Sequence, residues 1–276
     1  SFFFNSHLDF FEEIAKFRAA RRIWAKVMKE KYGAKSERSL KLRFHTQTAG
    51  FTLTAQQPEN NISRTAFQAL AAVLGGTQSL HTNSMDETLA LPSQKAAEIA
   101  LRTQQLIGYE LGVANVVDPL GGSWYLENLT DKMEREALKY FDKIEALGGV
   151  IAAIEIGYFQ REISQSASEY QKKVDAKRRI IVGLNEFIND YEEIDIPILE
   201  IRKEVQDEQV KRIKSLRKSR NNEEVNKNLK AITDASYNSE NLTPLIIEAA
   251  KSYATLGEIV DSMKIVFGEW EETVVV

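Results

Sequence analysis

The spacing of apolar positions changes several times along the chain. Phe2, Phe3 and Phe4 follow Ser1 as a short strand-like run. From Leu8 to Met28, residues Leu8, Phe11, Ile14, Ala15, Trp24, Val27 and Met28 return near helical spacing, while Glu12, Glu13, Arg18, Arg21 and Arg22 form a wet face. That segment is predicted helical. Leu40 to His45 alternates with period two, so Leu40, Leu42 and Phe44 share one face of a strand and Lys41, Arg43 and His45 the other. A turn-rich stretch leads to a helix over 60–74, carried by Ala66, Leu70 and Val73 and stopped by Gly75-Gly76. Thr77 to His81 reads as a short strand, and Pro92 opens a helical run through Glu110. Strands alternating with amphipathic helices predict βα units and a parallel sheet.

Past the turn cluster Asp118-Pro119-Leu120-Gly121-Gly122-Ser123 the pattern becomes helical and highly charged. Helices are predicted over 130–147, 151–179, 203–218, 222–237 and 243–267, the last started by Thr243-Pro244, with an extended segment at 180–185. Residues 1–135 are therefore expected to form βα units, and 136–276 a mostly helical linker or docking region. Polar residues fall where the predicted strands end: Ser1, then His45 and Gln47, then Gln78, His81 and Asn83. In a (β/α)-barrel that end carries the active site, and such side chains are costly to bury without partners. Three units cannot close an eight-stranded barrel, so the remaining strands are expected upstream, in keeping with a start lacking Met inside an aromatic run.

Composition narrows the function. The 276 residues, 43% hydrophobic and 28% charged, suffice for a sizeable core. A net charge of -4 spread through the chain gives no field for nucleic acid, so no such partner is expected. The absence of cysteine removes disulfides, thiolate nucleophiles and cysteine metal sites, and a cytoplasmic location is expected. No apolar segment is long enough to cross a membrane, and the opening aromatic run is cut by Asn5, Asp9, Glu12 and Glu13 before it could serve as a signal peptide.

The histidines are His7, His45 and His81. A histidine on a strand is more often a hydrogen-bonded structural group than a catalytic one, but His45 and Gln47 are two apart and share a face with Arg43, where their donors could meet a carbonyl. Neither metal-ligand spacing nor a nucleotide-binding glycine loop is present, so no metal site is expected. Lys211, Arg212, Lys214, Arg217, Lys218 and Arg220 surround their helix behind Glu204, Asp207 and Glu208, and read as a solvated face. Asn61-Ile62-Ser63 and Asn128-Leu129-Thr130 match glycosylation sequons by chance.

Two long runs carry a resemblance: Leu42-Arg43-Phe44-His45-Thr46-Gln47-Thr48-Ala49-Gly50, and Gly76-Thr77-Gln78-Ser79-Leu80-His81-Thr82-Asn83-Ser84-Met85-Asp86-Glu87. With Ala15 to Trp24, Asp118 to Ser123 and Thr255 to Ile259, they make the chain resemble the methylmalonyl-CoA mutase family over essentially its whole length. The resemblance implies an α/β fold: the C-terminal portion of a TIM-type (β/α)8 barrel followed by a mostly helical segment. It implies coenzyme A threading the barrel axis, and adenosylcobalamin held at one end by a flavodoxin-like domain or small subunit. The reaction implied is radical rearrangement of methylmalonyl-CoA and succinyl-CoA. The same resemblance admits an isobutyryl-CoA or 2-hydroxyisobutyryl-CoA mutase large subunit, and a non-catalytic assembly subunit is the alternative of a different class.

Position by position, the resemblance places His45 and Gln47 around the acyl-CoA as catalytic candidates. Ser1 matches a serine of the substrate segment, Phe3 an aromatic lining residue, and Arg38, Arg43 and Gln78 contacts on the coenzyme A side. Gly50, Glu87 and Ala90 match positions facing the corrin ring, where a glycine would admit a planar ligand close to the backbone. Ala49, Phe51, Thr88 and Leu184-Asn185-Glu186-Phe187 depart from the family pattern and bear on substrate identity rather than on fold. The family's catalytic tyrosine, carboxylate-binding arginine and acid-side histidine belong upstream, and no Asp-x-His-x-x-Gly cobalt-ligand motif occurs here. The chain is therefore expected to be inactive alone, and to work in an oligomer with an upstream barrel half and a cobalamin-binding chain.

Overall fold

The computed structural model describes residues 2–192 and 196–271. Its sheet has three parallel strands in the order β1 (Phe2–Ser6), β2 (Phe44–Thr48), β3 (Ser79–His81). Helices α1 (Phe10–Glu30), α2 (Glu37–Leu40) and α3 (Asn60–Leu74) lie between the strands in sequence. Beyond β3 come α4 (Gln94–Tyr109), α5 (Trp124–Ala146), α6 (Val150–Glu155) and α7 (Tyr158–Asp175). Among the described residues β1 and β3 each pair on one side only.

The register explains which residues are dry. Phe2 pairs with Phe44, Phe4 with Thr46, and Thr46 with Leu80, so even-numbered side chains share one face. Against that face pack Phe17 of α1 and Ala72 of α3. Phe17 stacks on Phe44 at 5.4 Å between ring centroids, and Phe4 meets Phe44 edge-on at 5.3 Å. Polar groups on this face are satisfied internally: Ser6 Oγ donates to the Gln68 carbonyl at 2.8 Å, and the Thr46 and Thr77 hydroxyls lie 2.8 Å apart. A second cluster joins Ile14, Ala15, Ala71 and Leu126, tying α1 to α5. The Arg18 guanidinium adds charged bonds across that interface, to Asp118 at 3.1 Å and Glu127 at 2.7 Å.

Several expected boundaries move. The alternation over 40–45 does not form one strand: the Ser36 hydroxyl accepts from the Ser39 N–H and turns Glu37–Leu40 into α2, so β2 starts at Phe44. The helix expected from residue 130 begins at Trp124, capped by Ser123. The run over 151–179 breaks at Gly157, whose φ of 67° starts a new helix. Residues 180–185 form a turn around Gly183 rather than a strand, with an isolated bridge from Val182 to Glu186.

Packing divides the chain into two units, 1–200 and 201–276, whereas the boundary expected near 135 falls inside α5. The second unit contains α8 (Lys203–Ser219), α9 (Asn222–Tyr237), α10 (Thr243–Lys251) and α11 (Leu256–Phe267). Its core is Ile232, Ala249 and Ile259. The run expected over 243–267 is two helices because Tyr253 turns at φ 65° and Thr255 and Glu258 form a capping box that starts α11. Among the described residues no helix is long and apolar enough to cross a membrane.

Candidate functional site

The odd-numbered face of the sheet is the chemically rich one. Phe3 pairs in register with His45, Asn5 with Gln47, His45 with Ser79 and Gln47 with His81. The expectation that His45 and Gln47 share a face follows from strand period and holds here. Phe3 joins them: its ring lies 5.3 Å from the His45 imidazole. His45 Nδ1 sits 2.7 Å from Ser79 Oγ, a partner that spacing along the chain does not reveal.

At the C-terminal end of the strands a buried polar relay sets Gln47. The Asn83 N–H donates to Thr48 Oγ1 at 2.9 Å, and that hydroxyl donates to Asn83 Oδ1 at 3.0 Å. Gln47 Nε2 also donates to Asn83 Oδ1, at 3.4 Å. The Thr48 hydroxyl and the Gln47 amide nitrogen thus converge as donors on the one oxygen, Asn83 Oδ1. Gln47 Oε1 accepts no hydrogen bond among the described residues. The amide donor of Asn83, Nδ2, is buried without a partner among the described residues.

Gly50 follows β2 on this rim. A Cβ there would lie 2.7 Å from Asn83 Nδ2 and 2.8 Å from Glu87 Oε1, so the glycine is required by neighbours within the chain itself. Glu87, Ala90 and His81 line one cavity of about 630 Å³ between β3 and α4. Burial, reinforced by Asp86 and opposed by His81, holds the Glu87 carboxyl above the usual carboxylate range. Burial also tends to raise the Asp86 carboxyl, but hydrogen bonds from Ser93 and Ser84 outweigh it and the net shift is downward.

His7 continues the odd face past β1. Its imidazole lies 6.0 Å from Phe51 and 6.4 Å from Tyr170, and burial lowers its pKa, with Glu13 opposing and Arg179 and Lys16 assisting. The loop after Gly50 is held by Asn61, whose amide nitrogen donates to the Thr54 and Met85 carbonyls at 2.8 and 3.0 Å.

The other expected residues lie apart from this rim. Gln78 precedes β3 and so stands at the N-terminal end of the strands, not the C-terminal end where the sequence pattern put it. Its side chain closes back, accepting from the Phe44 N–H at 2.7 Å and donating to the Gly76 carbonyl at 2.6 Å. Arg43, just before β2, and Arg38, on α2, are exposed toward that same end of their elements. Ser1 lies outside the described residues. Asn5, His7 and Ser79 are the residues that sequence spacing left unassigned; only their register across strands brings them to the site. Among the described residues no cluster of three or more histidines and carboxylates could hold a metal ion.

Comparison with known proteins identifies a family. The family model for methylmalonyl-CoA mutase matches residues 1–269. A 2-hydroxyisobutanoyl-CoA mutase large subunit from Aquincola tertiaricarbonis is 45% identical over 99% of this chain. Methylmalonyl-CoA mutases from Rhizobium meliloti and Escherichia coli are 44% and 41% identical, each over 98% of it. The chain spans 49% of the first relative's length and 38% of each of the other two.

Proposed function

The chain belongs to the methylmalonyl-CoA mutase family, and on that premise we propose that it supplies one part of an adenosylcobalamin-dependent acyl-CoA mutase. The proposed fold is the C-terminal part of a TIM-type barrel, completed by strands from other polypeptide that pair with the free edges of β1 and β3. Beside the β1 edge an apolar cavity of about 700 Å³, lined by Phe2, Phe4, Trp24 and Phe141 among others, is suited to further packing. The observation that carries the reading is the odd face itself: His45, Gln47, Ser79 and His81 aligned across two strands with an aromatic residue, Phe3, beside them.

The rim residues fit a large ligand bearing amide groups. Asn83 Nδ2 is a buried donor without a partner among the described residues, Gly50 and Glu87 lie beside it, and Ala90 lines a cavity with Glu87. They would hold one side of the cofactor, with the cobalt ligand supplied from outside these residues. When bound, adenosylcobalamin would supply the radical chemistry that a carbon-skeleton rearrangement needs.

The chain's own residues bind and orient. With the Ser79 hydroxyl donating to Nδ1, the His45 imidazole presents Nε2–H as a donor to the thioester carbonyl. Phe3 packs on His45 and keeps water from that bond. Arg38 and Arg43 meet the coenzyme A phosphates at the opposite end, while Gln78 fixes the strand ends there and Ser1 contributes to the same substrate segment. Methylmalonyl-CoA is the carboxylated member of the substrate class and 2-hydroxyisobutyryl-CoA its hydroxylated one.

The test is assembly of the chain with the remaining barrel and a cobalamin-binding chain, addition of adenosylcobalamin, and chromatography of acyl-CoA products. Isomerisation of a short branched thioester is expected, reduced about 100-fold or more by His45→Ala. A correctly assembled, cofactor-loaded complex that isomerises none of them would leave only the assembly role.

A further inference from the structure

We propose that Asn5 is a specificity-determining residue that, together with Gln47, reads a hydroxyl group on the acyl part of the substrate. This rests on the mutase reading above and names which member of the substrate class the site takes.

Register supplies the first argument. Asn5, Gln47 and His81 form one row across the three strands. Residues paired in a parallel sheet point to the same face, and neighbouring strands stand about 4.8 Å apart. The carboxamides of Asn5 and Gln47 can therefore reach one small group between them. The Asn5 side chain is exposed and makes no hydrogen bond among the described residues, while its backbone oxygen accepts from Lys16 Nζ at 2.6 Å.

Hydrogen-bond polarity supplies the second. Asn83 Oδ1 takes the Thr48 hydroxyl and the Gln47 amide nitrogen, and the Gln47 oxygen keeps its acceptor capacity unused among the described residues. An unused acceptor beside an unengaged carboxamide offers one acceptor and one donor. A hydroxyl matches that pair because it donates once and accepts. A carboxylate accepts only, and would set its charge against the Gln47 oxygen. An unsubstituted alkyl group would leave both amides desolvated without partners, which sites of this kind reject strongly.

The assembled, cobalamin-loaded enzyme is compared on 2-hydroxyisobutyryl-CoA, isobutyryl-CoA and methylmalonyl-CoA. The hydroxylated thioester is expected to have the highest kcat/KM. Asn5→Ala is expected to lower the ratio of kcat/KM for the hydroxylated over the unsubstituted thioester about tenfold. Asn5→Asp preserves the shape, removes the donor and is expected to do the same, so misfolding cannot account for both. Calorimetric binding of the two thioesters without cobalamin should show the same shift in the ratio of Kd values. An unchanged ratio in both variants, or a wild-type preference for methylmalonyl-CoA, overturns the inference and leaves the mutase reading standing. Failure to bind or convert any of the three overturns the mutase reading itself, and this inference with it.

Discussion

Ser79 Oγ and His45 Nδ1 lie 2.7 Å apart on adjacent strands, a bond that fixes the plane of the imidazole on the open face of the sheet. Removing it leaves the ring free to rotate and to change tautomer. Ser79→Ala in the assembled enzyme is expected to lower kcat/KM about tenfold, with Ser79→Thr retaining most of it. Steady-state kinetics on the best thioester decides the point; equal values for Ala and wild type would show that His45 needs no such partner.

Gly50→Ala tests how tightly the rim is built. The added methyl would meet Asn83 Nδ2 at 2.7 Å and Glu87 Oε1 at 2.8 Å. The carboxylate end of Glu87 can move, whereas the amide of Asn83 is held by Thr48. A loss of roughly 1–3 kcal/mol in urea unfolding is expected, with weaker cobalamin binding by absorbance titration. A variant as stable as wild type would mean that the Asn83 relay shifts freely.

Arg64 is buried without a carboxylate partner among the described residues, and burial lowers its pKa. Its guanidinium donates to Thr54 Oγ1 at 2.9 Å, Asn61 Oδ1 at 2.8 Å and the Val182 carbonyl at 2.7 Å. It thus ties the loop after Gly50 to the turn around Gly183. Arg64→Ala is expected to cost roughly 2–4 kcal/mol and to speed limited proteolysis within 176–187. Arg64→Lys should not rescue it, because a point ammonium cannot span the same three oxygens. Unchanged proteolysis would count against the tie.

Acid should loosen the unit 201–276 through Glu258. The Arg220 guanidinium donates to both its oxygens, at 2.7 and 2.6 Å, and Thr255 adds further bonds against the opposing effect of burial. Together they bring its pKa from 4.5 to about 2. A folded-state pKa below the unfolded one gives stability that is full above about 4.5 and is lost as pH falls toward 2. Hydrogen exchange in α9 and α11, corrected for intrinsic rates, is expected to rise across that window. Glu258→Gln should flatten the response, and an identical pH profile in that variant would assign the acid sensitivity elsewhere.

The sequence revealed these features unevenly, for physical reasons. Helix α3 matches its expected limits because its period is clean and Gly75-Gly76 stop it. His45 and Gln47 were legible as a pair because strand period alone puts them on one face. Asn5 and Ser79 were not, because their place depends on which strands pair and in what register. The breaks at Gly157 and Tyr253 were hidden inside continuous helical periodicity, which a single left-handed residue interrupts without altering the apolar pattern. The sequence pattern puts Gln78 at the wrong strand end because β3 has only three residues and nothing in the pattern marks its start.

The alternation along β2 also limits how such a site can change over evolutionary time. One residue inserted between Phe44 and His45 would turn Thr46 and Thr48 out of the core and drive the histidine and glutamine into it. Diversification within the strands must then proceed by exchange of odd-numbered side chains one at a time, while insertions and deletions accumulate in the connecting loops. A lineage can acquire a new acyl preference at Asn5 without disturbing the even-numbered half of the same strand, which remains answerable only to α1 and α3.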